Sequence, residues 1–392
     1  MIKKSLLFIL VFSGFLSGNM PYTKAAELTP AAHMYMLTAS PGEELYSVFG
    51  HSALWVLDPE QGINEVYNWG TFDFQTPNFY MKFLRGRLMY HLTVTSLERF
   101  LMVYRYEGRG VYSQRLNLRH DEMLGIYDYL LINRRPENVE YLYDFFYDNC
   151  ATRIRDIADK ELDIDWGPDP HPHAERTFRQ MLHPYVAHIP WISFGIDILL
   201  GLPSDKAATP WHYMFLPDEM FIAFEHARHD DGRLLVDAYD VFLEKMIERD
   251  KPGLLTPVVF FWILFGLGLL SLLNAKLSRI FDRIFFTALG LLGVLVFFMW
   301  FLSDHIPTAQ NLNILWALPT HLYFIHRGTK GRSGRMTRLY FKIVFLISAA
   351  LLLFWPWIPQ EFHPAFFPII ALIAVKAGLY GWGRKKEVSL EG

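Results

Sequence analysis

The sequence predicts an α+β extracytoplasmic domain followed by an all-α membrane bundle of five transmembrane helices. Three observations carry this expectation. Charge is split along the chain: from Leu254 onward there are 13 Lys and Arg against 5 Asp and Glu, whereas residues 1–253 carry 24 against 35. The basic part consists of apolar stretches of membrane-crossing length. The acidic part mixes short β-prone runs, turn residues and helical spacings without a strand–helix–strand rhythm. With 52% hydrophobic and 20% charged residues in 392, the composition excludes disordered and low-complexity classes. The net charge of −3 offers no basic excess, so no nucleic acid is expected as a partner.

Residues 1–26 read as a signal peptide. Lys3 and Lys4 precede the apolar run from Leu6 to Leu16, and Ala25 and Ala26 supply small residues for a cleavage site. The run is short for a spanning helix. The soluble domain is then 27–253, and 254–392 forms the membrane domain. Its apolar stretches lie at about 255–274, 284–303, 312–326, 340–358 and 364–382, the third being the weakest. Lys276, Arg279 and Arg283 separate the first two. Arg327, Lys330, Arg332, Arg335 and Arg338 separate the third and fourth, and Arg384, Lys385 and Lys386 follow the fifth. The connections 304–311 and 359–363 hold no Lys or Arg. Basic loops stay cytoplasmic, so the C-terminus is expected there and residue 253 outside, where the signal also sends it. Lys376 inside the fifth stretch is expected to snorkel to the cytoplasmic side. Asp304, His305, Asn311 and Asn313 are expected to form an interfacial loop capping helix ends.

In the soluble part, Ser52–Leu57 and Glu65–Trp69 flank the turn residues Asp58-Pro59-Glu60-Gln61-Gly62, which predicts a hairpin. Leu88–Val94 and Gly110–Leu118 are further strand candidates. Residues 120–133 and Ala151–Lys160 have helical spacing.

Cys150 is the chain's single cysteine, so it has no intramolecular disulfide partner. A free cysteine is commonly a small buried apolar residue. Here Asp148-Asn149 can cap a helix that starts at Cys150, where backbone N–H groups and the helix dipole favour a thiolate. A nucleophile also needs a base. His51 follows Phe49-Gly50 and opens the first hairpin strand. If Leu57 pairs with Gly62, His51 faces Asn68, which would orient the imidazole. Another register brings Asn64, Glu65, Tyr67 or Asp73 into that role. Arg153 and Arg155 on the cysteine helix are candidates for a lipid phosphate. His171 and His173 lack the partners of a metal site, and no metal or other cofactor is expected.

A glycine–histidine pair opening a hairpin, followed about a hundred residues later by Asn149-Cys150 opening a helix, resembles the permuted papain-like (NlpC-type) cysteine enzymes, lecithin:retinol acyltransferase among them. A closer resemblance covers most of the chain. Leu37–Gly42, Phe49–Leu54, Val66–Phe72, Tyr143–Arg153, Met214–Pro217 and Asn311–Trp316 are similar to the Lnb-type family of lipoprotein N-acyltransferases. That resemblance implies an inner-membrane enzyme with its catalytic domain in the periplasm. Its partners would be a phospholipid acyl donor and a lipoprotein acceptor. It implies Cys150, His51 and Asn68 as catalytic residues, with Arg153, Asn149 and Tyr67 near the substrate. A cysteine peptidase or amidase acting on cell-wall peptides, and a non-catalytic membrane scaffold, are the competing readings.

Overall fold

The computed structural model describes residues 27–167, 175–246, 253–329 and 334–382. The signal segment, His171 and His173, and the loop cations Lys330, Arg332, Arg384, Lys385 and Lys386 lie outside the described residues.

The soluble part is built on a seven-stranded sheet. Its strands are β1 (His33–Ala39), β2 (His51–Asp58), β3 (Ile63–Thr71), β4 (Met89–Thr95), β5 (Val111–Leu116), β6 (Glu140–Leu142) and a late strand, Val236–Leu243. Their spatial order is β6-β4-β3-β2-β1-β5 and then Val236–Leu243, each neighbouring pair antiparallel. The central strands are buried on both faces, and side chains sort between the faces with period two. Met34, Met36, Leu54, Val56, Tyr67 and Trp69 pack under the helices His120–Asn133 and Cys150–Glu161. Leu37, Ala53, Trp55 and Val66 face the helix Leu97–Glu107 through Phe100 and Tyr104. Each such large side chain contributes about 1.5–3 kcal/mol by leaving water.

The hairpin register differs from the expected one. Leu57 pairs with Asn64 rather than Gly62, and the last rung is Asp58–Ile63. The cause is Asp58, which is buried. Its carboxylate accepts the N–H groups of Glu60 and Gln61 in the turn and of Thr29, so it stays in the strand rather than opening the loop. The segment His229-Asp230-Asp231, which reads as a solvated helix end in sequence, instead closes the two-residue strand Arg228–His229 and turns, and Asp231 pairs with Arg233 and Arg119.

The C-terminal part is helical: Pro257–Leu270, Ala275–Phe301, His321–Thr329, Arg335–Leu353 and Phe366–Trp382. Among the described residues, Ala275–Phe301 and Arg335–Leu353 are long and apolar enough to cross a membrane. The third apolar stretch is not one helix. It divides into a 3₁₀ turn, Leu312–Leu315, and the nine-residue helix His321–Thr329, with Pro319 between them. Nine residues rise only about 13 Å. Lys376 does not snorkel. It is fully buried, its ammonium 2.8 Å from Asp282 Oδ1 and donating to Ser271 Oγ at 2.7 Å, while Tyr380 donates to the other Asp282 oxygen.

The two parts share a core. Helix Pro190–Leu199 lies in the soluble stretch by sequence, yet Phe194 and Ile198 pack among Phe285, Phe286, Phe366 and Ile370. Asn311 and Asn313 are buried and donate to the last carbonyls of that helix, Asp197 to Leu199.

Candidate functional site

The site lies where β2 begins. Gly50 holds φ +85°, a left-handed conformation, and a Cβ there would stand 3.1 Å from the Ala39 carbonyl oxygen. That turn delivers His51 to the first position of β2. Pairing of β2 with β3 starts at Leu54–Tyr67, and β3 breaks register against β4 between Asn68 and Thr71, where Gly70 takes φ +100°. An irregularity of this kind re-aims the side chain beside it. Asn68 is therefore not directly opposite His51, but a two-residue register change keeps both on one face. His51 Nε2 donates to Asn68 Oδ1 at 2.6 Å. This bond places the ring proton on Nε2 and leaves the Nδ1 lone pair for the thiol. The alternatives have other partners: Asn64 holds Trp55 and Glu98, Glu65 holds Tyr67 and Arg134, and Asp73 holds the Gln75 N–H.

Cys150 is the first residue of its helix. Asn149 caps the helix, its Oδ1 accepting from Ala151 N–H at 2.8 Å and Thr152 N–H at 2.9 Å. Its Nδ2 donates to the carbonyls of Phe145 and Phe215, both at 2.9 Å. Asn149 is buried, and both polar atoms of its side chain are bonded within the protein. Arg153 is committed too: it makes two bonds to Asp148, at 2.6 and 2.8 Å, and lies 3.6 Å over the Tyr141 ring. Arg155 is buried, 4.0 Å over Trp211. Tyr67 is buried and donates to Glu65 at 2.7 Å. Each of these side chains is thus paired within the protein around the site.

Burial pushes the Cys150 thiol up, but the charge of His51, a hydrogen bond to His51, and the N–H groups of Ser52 and Ala151 outweigh it, and the net direction is down. For His51, burial pulls the imidazole down, and Cys150 and Asn68 together bring it above the ordinary histidine value. Both shifts favour the thiolate–imidazolium form of the pair over the neutral one. The Ala151 N–H is shared with the Asn149 cap, so the Ser52 N–H on β2 is the donor that sequence reasoning missed. Two more residues were missed. Tyr104 stacks on His51, 6.5 Å between centroids at 21°, and Arg109 lies 4.7 Å over Tyr104. The spacing of Leu97, Phe100, Leu101 and Tyr104 is the helical signal that would have found the first.

No curated protein and no solved structure matches the chain. Two family models do. Residues 22–179 match the Lnb N-terminal periplasmic domain, and residues 249–387 match the Lnb transmembrane domain. The order is that of a membrane protein with a periplasmic N-terminal part. With about three quarters of its length matched by these two consecutive domains, the chain belongs to the Lnb-type family.

Proposed function

We propose that this protein is a membrane-bound, thiol-dependent acyltransferase that moves a fatty acyl chain from a phospholipid to the N-terminal amine of a lipoprotein. The observation that carries the reading is His51 held between Asn68 and Cys150, with the thiol's pKa drawn down against its burial. Family membership supports a membrane-bound lipoprotein-modifying enzyme. A histidine strand preceding a cysteine helix supports a permuted papain-like catalytic domain. The basic loops support five crossings with a cytoplasmic C-terminus, the third crossing interrupted at Pro319.

In the first half-reaction the Cys150 thiolate attacks the ester carbonyl carbon of the phospholipid. The tetrahedral oxyanion collects donors at the helix start and from the Ser52 N–H. The attack forms the C–S bond; collapse of the intermediate breaks the C–O bond, and the His51 imidazolium gives its proton to the departing lysophospholipid oxygen. In the second half-reaction the lipoprotein amine attacks the thioester. The C–N bond forms, the C–S bond breaks, His51 takes the amine proton, and the thiolate returns. Asn68 keeps the imidazole in one tautomer and orientation throughout.

The test is intact-protein mass spectrometry after incubation with phospholipid vesicles, followed by a lipopeptide. A long-chain acyl mass on Cys150 that disappears as the lipopeptide gains it supports the reading. Unchanged transfer by Cys150→Ala, or peptide cleavage without an acyl adduct, overturns it.

A further inference from the structure

Between β3 and β4, a segment rich in aromatic and basic residues projects from the soluble part. Its six-residue helix, Phe79–Leu84, buries none of its residues, and Tyr80 is 81% exposed while Phe74, Met81 and Phe83 are each about half exposed. Large apolar side chains exposed together on one short segment mark an interaction surface. Its position relative to the membrane helices is fixed. His305 Nε2 donates to the Phe83 carbonyl at 2.8 Å, the Asp304 N–H donates to the Arg85 carbonyl at 2.9 Å, and Arg87 pairs with Asp304 at 2.6 Å. Asp304 and His305 follow directly on the 27-residue apolar helix that ends at Phe301. The exposed apolar side chains therefore sit level with the end of a membrane-length helix, and Lys82 and Arg85 flank them.

A row of rings runs inward from this patch. Phe83 lies 6.2 Å from Phe79, Phe79 is 5.9 Å from Phe72, Phe72 is 5.1 Å from Tyr90, and Tyr90 stacks on Tyr143 at 4.5 Å. Tyr143 packs against the core cluster that contains Cys150. Burial, and then the charge of Cys150, push its hydroxyl well up, which places it within electrostatic reach of the sulfur.

We propose that the segment Phe72–Arg87 is a lipid-loading lip: it rests in the outer leaflet at the membrane surface, and the row Phe83, Phe79, Phe72, Tyr90, Tyr143 leads a phospholipid acyl chain from there to Cys150. The occupant is a phospholipid of that leaflet. The surface joins the end of a membrane helix, and its apolar side chains with adjacent cations match the boundary between acyl chains and anionic headgroups. The delivery role rests on the acyl-transfer reading, whereas the membrane contact does not.

Two measurements on the full-length protein in phospholipid vesicles test it. A nitroxide is placed at Tyr80→Cys in the Cys150→Ala chain, with Glu60→Cys, at the far end of β2, as the comparison. Greater accessibility to oxygen than to a water-soluble nickel complex at position 80, reversed at position 60, is the expected result. A water-exposed label at position 80, or one buried against a second copy, overturns the lip. In the otherwise native chain, Phe83→Ser and Tyr80→Ser each slow acylation of Cys150 from vesicles by about tenfold or more. Alkylation of the same thiol by iodoacetamide serves as the control for folding, and the exposed Tyr80 makes its variant safe from collapse. Acylation at the native rate in both variants overturns delivery. Absence of any Cys150 acylation in the native protein sinks the acyl-transfer reading and delivery with it, while the label still decides where the lip lies.

Discussion

His51 and Asn68 are bonded across a diagonal of the sheet, 2.6 Å apart, at the point where β3 loses its register against β4. The bond raises the imidazole's pKa and fixes its tautomer. Asn68→Ala should lower kcat by about 10²-fold, the scale of one general acid–base contribution. The base limb of the pH–rate profile should shift down as His51 loses a support. Steady-state transfer kinetics across pH check this, and a profile of unchanged shape would count against Asn68 as the orienting group.

The thiol titrates against its burial. Burial alone would hold Cys150 above the ordinary thiol range near about 8.5, and His51 is the leading lowering influence. Alkylation by iodoacetamide should thus rise with pH through a midpoint below that range. In His51→Ala only burial and two backbone donors act, so the midpoint should move upward. The sign is diagnostic: a variant that alkylates at the native midpoint would show that the two groups are not coupled.

Asn149 serves four backbone groups with one amide. Asn149→Ala removes a helix cap and strands two buried carbonyls, at a cost of about 2–3 kcal/mol in all. Asn149→Asp retains the cap but sets a carboxylate oxygen against the Phe145 and Phe215 carbonyls, so it should destabilise at least as much as Asn149→Ala. Thermal unfolding in detergent reads both, and the alkylation midpoint of Cys150 should rise as its helix start loosens.

Lys376 and Asp282 form a buried pair among the helices of the C-terminal part. Lys376→Met leaves a carboxylate without its cation and should destabilise by about 3–5 kcal/mol, whereas Lys376→Met with Asp282→Leu should recover most of that. Unfolding of the three proteins in the same detergent decides it. Equal loss in the single and double variants would argue that the pair is not the source of the effect.

Much of the site was legible because its signals are local. Gly50-His51 at a strand start and Asn149-Cys150 at a helix start each declare themselves within a few residues, and the helices His120–Asn133 and Cys150–Glu161 follow from spacing. The hairpin was placed with its rungs displaced because nothing in Asp58-Pro59-Glu60 announces that the aspartate binds Thr29, far away in sequence. The strand parity survived that error, and so did the His51–Asn68 pairing. For Asn149, Arg153 and Tyr67 the sequence shows a polar side chain but not its intramolecular partners, Phe215, Asp148 and Glu65. The sequence points Lys376 toward water because its counter-ion, Asp282, lies almost a hundred residues earlier on another helix.

The stretch 180–248 falls between the two family matches, yet it contains Pro190–Leu199, whose apolar face is seated among the C-terminal helices and whose final carbonyls are held by Asn311 and Asn313. The sheet-bearing half is thus riveted to the helical half rather than tethered by a string. Pruning the gene at position 253 to obtain a water-soluble fragment would expose that seam, and the Cys150 sulfur keeps a fixed station relative to the C-terminal helices instead of swinging free.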